Sequence, residues 1–458
     1  RKRERESSST HSPPCLTPPR HRPPLVLRTS KKSTRGMIHD QFGSEIPFAE
    51  PSWYQGFPSA FYGKEHAAFR TKVRRWVEQA VPQEKVEAWI AAKAYPMREL
   101  HTAAAREGIS TVMYPVEVGG SKSNDAFFEL ILVDELARVG GGVLGQLSID
   151  SMAVPPLLHA LDTCPIARQV VEDVVKGYAS VALAISEPGA GSDVANIAAT
   201  AVRTTGDNGD DVFVVNGSKK WITGGVTADY FTTLVRTGGP GFGGLSLLLI
   251  DARSPGIRVR RMETQFDSAH STSFVTFDDV RVPASHLIGA EGAGALLILE
   301  NFNHERFVIA VGACRAARTC YEDAMRYALR RRTFGKLLVQ HDVILTKLAD
   351  MVRQIEQLQD QCDRVAHWIT EGVPDSRMGE HCALLKVNAS RTLEFCAREA
   401  SQIFGGAAIV KEGQGRRIER AYRSVRASAI PGGSEEILLL YAMRTSAKRA
   451  QKKLKAKL

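Results

Sequence analysis

Apolar residues recur three and four apart from about residue 57 to 178, as in AAFRTKVRRWVEQAV, AFFELILVDELARV and IARQVVEDVVKGYA. That is the period of helices with one buried face, and YPVEVGG (Tyr114 to Gly120) interrupts it as a loop. Beyond residue 179 the period falls to two. DVFVVNGSKKWIT predicts a hairpin turning at Asn216-Gly217, and YFTTLVRT, LSLLLIDA, IRVRRM and TSFVTFDDVRV predict further strands. The helical period returns at about 291, beginning ALLILENFNHERFVIAVGACRAARTCYEDAMRYALRRR, and continues to 447. Helices, then sheet, then helices predict an α+β protein with helical domains flanking a β domain, rather than alternating βαβ units. The expected segments are a disordered or extraneous leader (1–56), an N-terminal helical domain (57–178), a central β domain (179–290), a C-terminal helical bundle (291–447) and a basic tail (448–458).

Charge changes this picture only at the ends. The chain of 458 residues has a formal charge of +10, but residues 1–36 hold ten Lys/Arg against two Glu, and residues 444–458 hold seven Lys/Arg and no acid. Between them lie 43 basic and 48 acidic side chains, so the folded body offers no basic footprint for nucleic acid. No window has the run of about 20 apolar residues that a membrane-spanning helix needs. The seven cysteines form no C-x-x-C pair, which excludes a zinc site or disulfide framework of ordinary spacing and predicts mostly buried thiols. Residues 1–45 are rich in Arg, Ser and Pro without period. The first Met is Met37, and the expectation is translation from there rather than a targeting leader.

Candidate chemistry begins with AISEPGAGSDVANI, Ala184 to Ile197, a glycine-rich loop able to present N–H groups and hydroxyls to an anion. KKWITGG (Lys219 to Gly225), RRRTFGK (Arg330 to Lys336), QIFGGAA (Gln402 to Ala408) and PGGSEEI (Pro431 to Ile437) follow in order. Together these resemble the acyl-CoA dehydrogenase family of flavoproteins over residues 57 to 447. The resemblance implies a central β-barrel or sandwich, a C-terminal four-helix bundle and FAD as cofactor. It implies that Ser186, Ser192, Trp221 and Thr223 hold the flavin, with the Thr223 hydroxyl beside N5 and Ser192 also near substrate. It implies further that Arg331, Thr333 and Phe334 reach the FAD pyrophosphate of a neighbouring subunit, where a guanidinium fork suits phosphate. Gln402, Gly405 and Gly406 would approach the adenosine of that FAD, in a homotetramer built as a dimer of dimers. Ser434 and Glu436 match positions that touch flavin.

The family reaction takes an α-proton from an acyl-CoA thioester while a hydride leaves the β-carbon for the flavin, so it needs a carboxylate at the α-carbon. Many relatives carry that glutamate in the loop aligned with PGGSEEI, where this chain has Gly432. Isovaleryl-CoA and long-chain relatives use a helix glutamate instead. NFNHERFVIA places Glu305 at that alternative position, beside Arg306, which matches a family arginine next to the substrate. The apolar surroundings of Glu305 favour a raised pKa. Glu435 and Glu436 read instead as the first turn of a helix capped by Ser434. The missing side chain at Gly432 is expected to leave room for a branched or bulky acyl group.

The C-terminal Ala456-Lys457-Leu458 is similar to the peroxisomal S-K-L address, giving a peroxisomal expectation with mitochondrial as alternative. Electrons would then pass to an electron-transfer flavoprotein, or to oxygen as in an acyl-CoA oxidase. A DNA-binding flavoprotein of the alkylation-response type is the alternative from another class, disfavoured by the acidic body.

Overall fold

A computed structural model describes residues 41–140, 142–206, 208–266 and 272–456. Met37, Cys15 and most of the leader lie outside the described residues, as do Lys457 and Leu458 of the terminal tripeptide. The N-terminal helices are α1 (Lys64–Ala80), α2 (Gln83–Ala92), α3 (Met97–Arg106), α4 (Phe127–Val139), α5 (Val143–Ala153), α6 (Pro155–Leu158) and α7 (Pro165–Val175). The β domain contains β1 (Val181–Ala184), β2 (Thr200–Thr205), β3 (Asp211–Ile222), β4 (Tyr230–Arg236), β5 (Leu245–Asp251), β6 (Ile257–Arg261), β7 (Ser273–Pro283) and β8 (Leu287–Ile288). Its order is β6-β7-β3-β2-β4-β5-β8, with β1 parallel to β4. Helices α8 (Gly294–Ala328), α9 (Asp342–Thr370), α10 (Asp375–Phe404), α11 (Arg416–Ala429) and α12 (Glu435–Lys455) follow, with the short ribbon β9 (Arg332–Thr333) and β10 (Lys336–Leu337) after α8. No helix among the described residues is long and apolar enough to cross a membrane.

The longest helix, α8, ties the domains together. It begins on β5, where a side chain at Gly294 would meet the Ser246 backbone at 2.6 Å, so only glycine lets the helix start that close. Further along, α8 packs against α4, α9 and α10. Arg315 and Arg318 on α8 are fully buried; Arg315 binds Asp134 on α4 and, at 2.7 Å, Glu50.

Glu50 corrects the predicted leader boundary. Residues 41–56 belong to the folded body: Trp53 and Tyr54 are buried in the core, and Glu50 bonds both Arg315 and, at 3.1 Å, Arg74 of α1. An irregular segment held by aromatic packing and one buried carboxylate has no period to read.

The predicted hairpin at Asn216-Gly217 is absent. β3 runs straight through it, paired to β7 with a register shift between Val215 and Gly217. The Asn216 amide donates Nδ2–H to Asp279 Oδ1 (2.8 Å) and accepts from the Asp279 backbone N–H (2.9 Å), so the dipeptide makes a bulge. The C-terminal boundary also moves, because α12 runs through the segment expected as a tail and ends at Lys455. Six described cysteines are free and buried.

Candidate active site

A cleft of about 2120 Å³ opens between the β domain and the two helical regions. One wall is the loop after β1 and the end of β3. Glu187 fixes that loop: its carboxylate accepts from the N–H groups of Ala198 (2.7 Å) and Ala199 (3.0 Å) and from Lys219 Nζ (2.8 Å). Lys219 is fully buried, and burial lowers its pKa to about 8 against the attraction of Glu187. Ser186, Ser192, Trp221 and Thr223 all line this wall. Trp221 sits at a second irregularity of the β3–β7 ladder with φ of +63°, and it is 49 % exposed. A large aromatic held left-handed and left half bare marks a site where local stability has been set aside.

Another wall is α8. Glu305 is 7 % exposed, and burial pushes its carboxyl up to about 7, against the pull of His304, Arg306 and a hydrogen bond from Asn301. Asn301, one turn earlier, donates Nδ2–H to Glu305 Oε1 at 3.0 Å and to the Met152 carbonyl of α5 at 2.7 Å. A carboxylate that titrates near neutrality in an apolar cleft can take a proton from a weak carbon acid.

The loop between α11 and α12 closes this end. Arg306 donates Nε–H to the Gly432 carbonyl at 3.0 Å, so the helix position of Glu305 and the loop position of Gly432 face the same part of the cleft. Gly432 has φ of +67°, and a Cβ there would stand 3.1 Å from Ile309 Cδ1. The expected vacancy is therefore filled: Ile309, one turn beyond Glu305, occupies it. Buried Lys386 donates to the carbonyls of Ala429 and, at 2.9 Å, Gly433, clamping the loop from α10. Ser434 lines the cleft and caps α12, accepting from the Ile437 N–H. Glu435 is taken up by Ser390 (2.6 Å) and Arg391 (3.0 Å), and Glu436 is exposed away from the cleft.

Seven predicted positions thus converge: Ser186, Ser192, Trp221, Thr223, Glu305, Arg306 and Ser434. Arg331, Thr333, Phe334, Gln402, Gly405 and Gly406 do not join them. They gather instead at one end of the C-terminal helices, where Tyr327 of α8 stacks on Phe404 of α10 with ring centroids 4.2 Å apart. The β9–β10 ribbon turns there through Phe334 and Gly335, both left-handed, and leaves Phe334 96 % exposed. Sequence reasoning did not single out Asn301, Glu187, Lys219 or Lys386. Asn301 carried a signal, being four residues before a helix glutamate; the others act across distances that no local pattern reports.

Three family models cover most of the chain: acyl-CoA dehydrogenase N-terminal domain over residues 63–163, middle domain over 182–280 and C-terminal domain over 292–446. The chain belongs to the acyl-CoA dehydrogenase family. An acyl-CoA dehydrogenase of Alternaria alternata is 36 % identical over 417 residues, 87 % of this chain and 95 % of that protein. A cyclohexane-1-carbonyl-CoA dehydrogenase of Geobacter metallireducens is 31 % identical over 344 residues, 75 % of this chain and 87 % of that one. Among solved structures, a probable acyl-CoA dehydrogenase from Mycobacterium abscessus superposes with a TM-score of 0.78 at 36 % identity, covering 84 % of this chain and all of that chain (100 %). FAD is the cofactor of this family. The β wall fits a flavin ring: Trp221 offers a bare aromatic face, Thr223 and Ser186 offer hydroxyls, and a Cβ added at Gly191 would meet no atom within 4 Å, leaving the loop backbone open to approach.

Proposed function

We propose that the protein catalyses α,β-dehydrogenation of an acyl-CoA thioester to the trans-2-enoyl-CoA, with Glu305 as the base that removes the α-proton. The reading is carried by one observation: a buried carboxylate with its pKa pushed up to about 7 lines the same cleft as Trp221 and Thr223. FAD, when bound against that wall, supplies the acceptor for the β-hydride. Asn301 holds one oxygen of Glu305 so that the other is free for the proton, and the low polarity of the cleft keeps water from competing. Arg306 holds the 431–433 loop beside the reacting carbon.

Glycine at 432, with Ile309 filling its place, supports the helix-base arrangement of isovaleryl-CoA and long-chain relatives over the loop-base one. The ribbon at Phe334 and the Gly405-Gly406 turn lie together and outside the cleft, which supports their service to the FAD of a second subunit in a tetramer. The test is anaerobic titration of the FAD-loaded protein with acyl-CoAs, following loss of flavin absorbance, for the native chain and Glu305→Gln. Native bleaching with none in the variant is expected; equal rates would dismiss Glu305 as the base. Reoxidation by air or by an electron-transfer flavoprotein then identifies the acceptor.

A further inference from the structure

The face of α8 that presents Glu305 continues well past it. Ile309, Gly312, Ala316, Thr319 and Asp323 follow at helical spacing on the same side, and all of them line the cleft. α11 lies antiparallel alongside. Just beyond its C-terminal end Gly432 meets Arg306 at 3.0 Å, and at its N-terminal end Arg417 Nη1 stands 3.3 Å from Asp323 Oδ1. Between those contacts α11 turns Ala421, Ser424 and Ser428 to the cleft. Between the larger Ile309 and Arg420 at its ends, Gly312 and Ala316 on one wall and Ala421, Ser424 and Ser428 on the other are small and leave a slot where two helices would otherwise interlock. From Glu305 to Thr319 it follows about 21 Å of helix.

The far end of the slot is polar and incompletely bonded. Thr319 Oγ1 and Arg420 Nε are buried with no hydrogen-bond partner among the described residues. Arg420 is 9 % exposed, although its Nη2 binds Glu87. Thr319 is one turn before Asp323, and Arg420 one turn after Arg417, so both belong to the end closed by the Asp323–Arg417 pair. Each guanidinium at this end already has a carboxylate, Arg417 with Asp323, Arg420 with Glu87 and Arg138 with Glu78, so a neutral group fits better than an anion. What remains open is the Thr319 hydroxyl and the Arg420 Nε–H, with the buried Nε–H of Arg138, whose carbonyl Arg417 approaches at 3.5 Å, likewise unmet. Leaving such groups unmet in a folded interior is unfavourable, and a neutral oxygen satisfies the first two.

We propose that the α8–α11 slot is the bed of the substrate's acyl chain, and that Thr319 and Arg420 recognise a neutral oxygen, hydroxyl or carbonyl, borne about 20 Å from the thioester. The inference rests on the acyl-CoA reading above and narrows it to long chains oxygenated near their far end. Gly312 and Ala316 set the width of the slot, and Thr319 sets its chemistry.

The test uses the full-length FAD-loaded protein with butyryl-CoA, hexadecanoyl-CoA and 16-hydroxyhexadecanoyl-CoA, reading both anaerobic flavin reduction and calorimetric binding. The hydroxylated chain is expected to bind about tenfold tighter than the plain one, the worth of one good buried hydrogen bond. Thr319→Val, which keeps the shape, should erase that preference. Ala316→Phe should weaken both long chains at least about tenfold and butyryl-CoA far less, since the short chain stops beside Glu305. Equal binding of the two long chains by the native protein overturns the proposal, as does an Ala316→Phe variant that weakens all three alike. If no thioester reduces the flavin, the dehydrogenase reading falls, while the calorimetric comparison still decides for or against the subsite.

Discussion

His304 on α8 and Glu129 on α4 meet at 2.7 Å between Nε2 and Oε1, one residue before Glu305. Burial opposes ionisation of Glu129, yet the charge of the His304 ring and its hydrogen bond hold the carboxyl below its ordinary value, with Lys122 adding to the effect. That same ring and Arg306 are the charges that pull Glu305 down from the value burial alone would give it. A second buried carboxylate therefore acts on the base through the histidine it holds.

The base works only when deprotonated, so the rate of flavin reduction should fall on the acid side of about 7. His304→Gln removes the largest opposing pull and should move that limb upward by on the order of one pH unit. Glu129→Gln, which loosens the ring, should move it in the same direction by less. Anaerobic stopped-flow reduction across pH 5.5 to 9 is the measurement, and an unmoved limb would limit the pair to a structural role.

Stability carries the same signature with a definite sign. The folded pKa of Glu305 is raised from 4.5 to about 7, so its contribution is fully present below about 4.5 and is lost as pH rises through about 7. Glu305→Gln should then raise Tm at pH 8 and do little at pH 4.5, with a ceiling of about 3 kcal/mol from the size of the shift. Equal Tm changes at the two pH values would contradict the burial of a charged Glu305.

Restoring a glutamate at the loop should not restore activity. At Gly432 the backbone is left-handed and Ile309 stands 3.1 Å from any added Cβ, so Gly432→Ala should cost about 1 to 3 kcal/mol. The double variant Glu305→Gln/Gly432→Glu is expected to stay inactive in the bleaching assay.

Lys386 makes a cleaner target for the loop itself. Its Nζ serves two carbonyls, those of Ala429 and Gly433, and burial lowers its pKa to about 8. Lys386→Met leaves both carbonyls unserved and should lower stability by about 2 to 3 kcal/mol. The flavin should remain bound while its reduction by substrate slows. Denaturant midpoints and flavin absorbance measure the two effects separately.

Trp221→Gly should separate fold from cofactor. Glycine accepts the φ of +63° without strain, so the flavin-free protein should gain up to about 1 kcal/mol, while flavin dissociates more readily for want of the indole face. Loss of both stability and flavin would mean that Trp221 is a packing residue.

The three-part architecture was legible because each part has its own hydrophobic period, and so was Glu305, a lone carboxylate in an apolar helical run. The segment around Glu50 was not, since its place depends on Arg74 and Arg315, one of them 265 residues away. Asn216-Gly217 misled because a bulge and a tight hairpin ask the same thing of a backbone, and only the presence of β7 as partner decides between them. Glu129 and Lys386 were invisible for a related reason: each meets the site from a helix that forms for other reasons.

The three bonds that Glu187 accepts, from Ala198, Ala199 and Lys219, join the two ends of the glycine-rich loop to the neighbouring strand wholly within the chain. The conformational freedom such a loop would surrender to a cofactor is thus surrendered during folding, and the binding step is relieved of it. Flavin capture should accordingly behave as docking onto a preformed rim, fast and weakly temperature-dependent, rather than as folding around a guest.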